Sequence, residues 1–135
     1  MRDCLTIEEA ASLLAAPARA ARSARGCNAP RDRRVLERLL TTGATAAALS
    51  SGPHGLGLSR RAVERLVRRY GRLAGIARPV TVGMLRATFA RAHFSEHRSI
   101  PALMRALGLR HPKSAARYLD VEIMGETARS AGGIR

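Results

Sequence analysis

Along most of this chain apolar residues recur every three or four positions, the spacing of one buried helical face. The clearest run is "LSRRAVERLVRRYGRLAG". Val63, Leu66, Val67, Tyr70 and Leu73 fall on its inner side, Ser59 caps its start and Gly75 ends it. "LTIEEAASLLAAP" opens with Thr6 followed three residues later by Glu9, a capping box. Leu13 and Leu14 give that segment its apolar face, and Pro17 is expected to end it. "PRDRRVLERLLTTG" starts with Pro30 in its first turn and stops at Gly43, with Val35, Leu36, Leu39 and Leu40 as its buried stripe. A weaker helical turn, "ATAAALSSG", follows. Thr81 then caps "VTVGMLRATFARAHF", whose Met84, Leu85, Phe89 and Ala92 are expected to face a core. Ser99 and Gly108 bracket another helix, and "HPKSAARYLDV" forms a last short one with Tyr118 near its end. No repeat and no strand pair is visible. The expected fold class is all-α, with about six helices. Residues 1–121 form one helical region, and 122–135 a flexible C-terminal tail.

Arg86 breaks this pattern, because it sits in the middle of an apolar helix. A guanidinium beside a core needs an anion or other acceptors to meet it. The alternative is an arginine whose stem packs while its head reaches a carboxylate or water.

Charge sharpens the question. Twenty-four basic residues stand against ten acidic ones, a formal net charge of +14, and Lys113 is the only lysine. Such a field attracts polyanions, and arginine suits bidentate phosphate contacts. A GC-rich coding sequence also inflates Ala, Arg and Gly, but does not explain so few acids. Arg60, Arg61, Arg65, Arg68, Arg69 and Arg72 lie opposite the apolar face of one helix with only Glu64 among them, a pattern suited to tracking phosphates. Cys4 and Cys27 are too few for a disulfide framework, and the His93/His97 pair lacks a third ligand nearby, so no metal and no cofactor is expected. No apolar run approaches membrane length and there is no signal-peptide core, so a cytoplasmic protein with no membrane partner is expected.

Five segments in order, "LTIEEAASLLAAP", "RDRRVLERLLTTG", "LSRRAVERLVRRYGRLAGI", "TVGMLRATFA" and "ALGLRHPKSAARYLDV", together resemble the catalytic domain of tyrosine recombinases, the phage integrase family. The resemblance runs from about Leu5 to Val121 and includes a tyrosine ten residues after the leucine-glycine turn, here Gly108 and Tyr118. It implies a truncated form of that helical fold. The family's β-hairpin would be lost, since only "SSGPHGLG" connects the helices there. Because recombinase-like residues begin at Leu5, a preceding DNA-clamping domain is not expected.

In the family a tyrosine hydroxyl attacks a DNA phosphodiester, two arginines cradle the phosphate, histidine assists, and a hairpin lysine protonates the leaving oxygen. A phenol with a pKa of about 10 is a weak nucleophile at neutral pH, so preorganised cations must meet the charge that develops on the phosphate. By resemblance, Tyr118 matches the nucleophile and Arg86 the second arginine. The first arginine falls on Thr45, the following glutamate on Ala48, the histidine before Arg86 on Gly83, and the later histidine on Leu109. His111, two positions late, stands nearest to that last role, while Lys113 lies in the wrong segment to replace the hairpin lysine.

The resemblance therefore implies a DNA-binding protein linked to DNA integration and site-specific recombination, with duplex DNA as partner. Strand cleavage through a phosphotyrosine would be impaired because most catalytic residues are missing. Two alternatives stay open. One is a non-catalytic accessory or regulatory protein acting with an intact recombinase subunit. The other is a basic, RNA-binding helical protein.

Overall fold

Every helix but the last begins where a short polar side chain takes up one of its unpaired backbone donors. The structure is a computed structural model that describes residues 4–22, 28–51 and 58–119. Thr6 caps α1 (Ile7–Ala21): its Oγ1 accepts from the Glu9 amide at 3.1 Å, and Glu9 returns the bond to the Thr6 amide at 3.0 Å. Asn28 caps α2 (Ala29–Thr42), and a shorter α3 (Ala46–Ser51) follows. Ser59, Thr81 and Ser99 cap α4 (Arg60–Leu73), α5 (Val82–His97) and α6 (Ile100–Leu107). The last helix, α7, is Pro112–Ala116. The weak "ATAAALSSG" turn is thus a helix in its own right, giving seven helices and no strand among the described residues.

Two apolar clusters organise these helices. In the larger, α1 packs on α2 and α4 around Leu13, Val35, Leu36, Leu39, Val63, Val67 and Tyr70. Val80 closes in on Gly71, where a Cβ would lie 2.5 Å from Val80 Cγ2. The smaller cluster joins the end of α5 to α6 and α7 through Ala90, Phe94, Leu103, Leu107, Ala115 and Leu119. Helix α5 is the spine between them, giving Met84 and Leu85 to the first cluster and Ala90 and Phe94 to the second. Burying each Leu or Val side chain contributes roughly 1.5–3 kcal/mol.

Three sequence expectations need correcting. Pro17 does not end α1, which continues to Ala21. Its ring is buried in the core, and the alanine-rich turn around it carries the helix past one missing N–H. Leu73 is 52% exposed instead of buried, because it lies at the edge of the apolar stripe in the final turn of α4, where no helix covers it. Ala92 is exposed and Phe89 only half-buried. Helix α5 turns one side to α2 and another to α6, so its buried positions shift to Ala87, Ala90 and Phe94.

Most of the connector where the resemblance places a hairpin, and the tail from residue 120 onward, lie outside the described residues.

Candidate functional site

Helix α2 ends at Gly43, which adopts the left-handed conformation at φ 68°. A Cβ there would lie 2.6 Å from Phe89 Cδ2 and 2.8 Å from Leu107 Cδ2. Glycine is therefore required twice, once for the turn and once for the close approach of α2 to α5 and α6. The effect is to aim two helix C-termini at one point on α5. Arg86 occupies that point.

The half-buried Arg86 guanidinium donates from Nη1 to the Gly43 carbonyl and from Nη2 to the Leu107 carbonyl at 2.9 Å. Its Nε donates to the Tyr118 hydroxyl oxygen at 2.9 Å, and its Cζ lies 5.3 Å from the Tyr118 ring centroid. A cation at the C-terminal ends of α2 and α6 is favoured by both helix dipoles. Among the described residues no carboxylate pairs with Arg86, so its charge is solvated by dipoles and not neutralised. Arg86 and Tyr118, thirty-two positions apart in sequence, thus meet directly. Tyr118 sits just beyond α7, packed against the smaller cluster.

The other positions singled out by the sequence do not join them. Thr45, Ala48 and Gly83 are exposed. Thr45 instead accepts the Ala48 amide at 3.1 Å as α3 begins. At Gly83 an added Cβ would meet only Thr81 Oγ1, at 3.7 Å, so nothing occupies the space a larger side chain would take. His111 is exposed at the N-cap of α7 and makes no side-chain hydrogen bond there. Lys113 is exposed in the first turn of α7.

The six α4 arginines are all exposed. Arg60 pairs with Glu64 at 3.3 Å, and the Arg69 guanidinium lies 5.5 Å from the Tyr70 ring centroid. Arg61, Arg65, Arg68 and Arg72 have no ion-pair partner among the described residues. A cleft of about 330 Å³, lined by Glu64, Arg68, Val80, Thr81, Val82 and Gly83, connects this stripe to the first turn of α5, three residues before Arg86.

Two further groups escaped sequence reasoning. Arg78 donates to both carboxylate oxygens of Glu9, at 2.9 and 3.0 Å, and to the Cys4 carbonyl at 2.7 Å. The bonds from Arg78, then the Thr6 amide, hold the Glu9 carboxyl below its usual pKa. Asp32, 3% exposed, accepts from the buried Tyr70 hydroxyl at 2.5 Å and from Arg31 at 3.1 Å. The sequence signal for this second group was an aspartate on the buried side of an otherwise apolar stripe. At the far end of α5 the His93 and His97 rings lie 4.3 Å apart, and burial, then the charge of His97, lowers the His93 pKa.

The chain has a recombinase-like helical fold. It is similar to the crystal structure of XerA recombinase, with a TM-score of 0.73 and 17% identity. The match covers 97% of this chain and 64% of that one, so this chain spans less than two thirds of its counterpart's length. No family model and no curated protein matches the sequence.

Proposed function

We propose that this protein binds duplex DNA in the manner of a tyrosine recombinase catalytic domain and has lost most of that domain's capacity to cut it. The observation that carries this reading is the un-neutralised Arg86 guanidinium held 2.9 Å from the Tyr118 hydroxyl oxygen, in a recombinase-like fold. Three of the five guanidinium N–H groups are engaged, which leaves two for a phosphate oxygen. Tyr118 would be the inherited nucleophile and Arg86 the surviving phosphate cation. Arg60, Arg61, Arg65, Arg68, Arg69 and Arg72 would follow the backbone of the duplex. His111 has no contact that gives it an acid or base role.

Impairment follows from what replaces the missing groups. Thr45 and Gly83 offer no cation and no general acid–base. Each lost preorganised donor costs about 3 kcal/mol, or a hundredfold or more in rate, although such losses are not strictly additive. The XerA chain extends well beyond the 64% of its length that matches this one, and a partner subunit would be part of the same reading.

Fluorescence anisotropy with a short labelled duplex tests the binding half. Affinity should fall at least about tenfold between 50 and 200 mM salt. Equal affinity for structured RNA at one salt concentration would favour the RNA-binding alternative. A nicked half-site that traps phosphotyrosine tests the other half. No adduct above background is expected, and an adduct that disappears in Tyr118→Phe would refute impairment.

A further inference from the structure

The α4 arginines do not form a uniform surface. Arg65 and Arg69, one turn apart on that helix, line a cleft of about 210 Å³ together with Arg31, Asp32, Leu66 and Tyr70. The floor of this cleft is fixed by buried groups. Asp32 holds Arg31 through Nε and Nη2, both 3.1 Å from Oδ1, and its Oδ2 accepts the Tyr70 hydroxyl. Fully buried Tyr70 in turn carries the Arg69 guanidinium 5.5 Å from its ring centroid. Two of the three cations therefore rest on a rigid frame, so less side-chain freedom is lost when an anion arrives.

The charge count is specific. The Asp32 carboxylate offsets Arg31, its ion-pair partner. Arg65 and Arg69 remain, with no carboxylate partner among the described residues. Two surplus positive charges facing one concavity match a dianion, whereas each phosphodiester of a duplex carries a single charge. The cleft lies at the first turn of α2, and Arg86 binds the carbonyl of Gly43 beyond its last. Eleven residues at 1.5 Å each put the two places about 16 Å apart along the helix.

We propose that the Arg31–Arg65–Arg69 cleft is a second anion site, separate from the Arg86–Tyr118 pair, that takes a dianionic phosphomonoester. The ligand is either a small phosphate or the terminal phosphate of a nucleic-acid strand. This site does not depend on α4 following a duplex.

The test uses the full chain at pH 7.5 and constant ionic strength, with inorganic phosphate as probe and chloride as reference. Phosphate should raise the melting temperature saturably. Arg65→Gln/Arg69→Gln should weaken phosphate binding at least about tenfold, while Arg105→Gln/Arg110→Gln, an equal charge loss at exposed positions on and beyond α6, changes it less than about twofold. Circular dichroism should show both variants folded, since all four side chains are exposed.

No preference for phosphate over chloride overturns the proposal, and so does equal loss in the two variants. A second arm compares 5′-phosphorylated and 5′-hydroxyl duplexes. A preference for the phosphorylated end that vanishes in the cleft variant supports a strand terminus as the source. Retained phosphate binding without such a preference supports a small phosphate. If Arg65→Gln/Arg69→Gln loses duplex binding while phosphate binding stays intact, the cleft is refuted and the DNA reading stands.

Discussion

Arg78 and Arg86 are both partly buried, and both gather distant segments of the chain, but with opposite chemistry. Arg78 ties the start of the chain to the loop after α4 by meeting a carboxylate head on, so its charge is balanced by Glu9. Arg86 ties α2, α6 and the segment after α7 together using only carbonyl dipoles and a phenol. Either arrangement gives the guanidinium several protein acceptors. Only the second leaves a net positive charge at the meeting of two helix ends, which is what the proposed anion contact requires. An arginine's function is therefore better judged from what neutralises it than from how many bonds it makes.

The largest expected effect is on the geometry that makes Arg86 possible. Gly43→Ala places a Cβ within 3 Å of Phe89 and Leu107 side chains at φ 68°. Strain in the left-handed region and overpacking together should destabilise the protein by about 3 kcal/mol. That is a fall in melting temperature of about 10 °C or more, measurable by calorimetry. An unchanged melting temperature would show that α2 is not pinned to α5 and α6 in this way.

Arg86→Ala comes next. Losing charge-assisted bonds to two helix-end carbonyls and a tyrosine should destabilise by about 2–3 kcal/mol and weaken duplex binding about tenfold. Arg86→Lys keeps the charge without the planar fork, and should recover more of the binding than of the stability.

Arg78→Met is the contrasting variant. Its ion pair is partly solvent-exposed, so about 1 kcal/mol or less is expected after screening, with duplex affinity changed by less than about twofold. Equal losses of DNA binding in the Arg78 and Arg86 variants would break the comparison.

The smallest effect is in acid. Arg78 depresses the folded-state pKa of Glu9, so below the usual value of 4.5 the unfolded chain binds more protons than the folded one. Stability contributed by Glu9 is complete above that value and is lost as pH falls through the depressed one. Acid melting curves should therefore fall less steeply in Arg78→Met than in the parent.

Helix ends were legible because they are local. Thr6, Ser59, Thr81 and Ser99 cap where their spacing from the apolar runs requires, and Gly43 and Gly108 take the left-handed conformation that ends α2 and α6. Most inward faces were legible for the same reason. Leu73 and Ala92 were not, since burial at the margin of a stripe depends on which helix arrives beside it. The acceptors of Arg86 were hidden more deeply, because backbone carbonyls leave no mark in a sequence. Asp32 shows the same limit. Its place on the buried face of α2 is legible, but its partner is not, because only the fold brings Tyr70, thirty-eight residues away, onto its carboxylate.

The Asp32–Tyr70 bond also has a spectroscopic consequence. The chain has no tryptophan and two tyrosines, so emission excited beyond the phenylalanine band comes from Tyr70 and Tyr118. A carboxylate that accepts a phenol's proton in the excited state quenches that phenol, so Tyr70 should be the dimmer chromophore of the pair. The remaining signal belongs to Tyr118, beside Arg86, so an unlabelled titration with DNA would report on that arginine without any introduced probe.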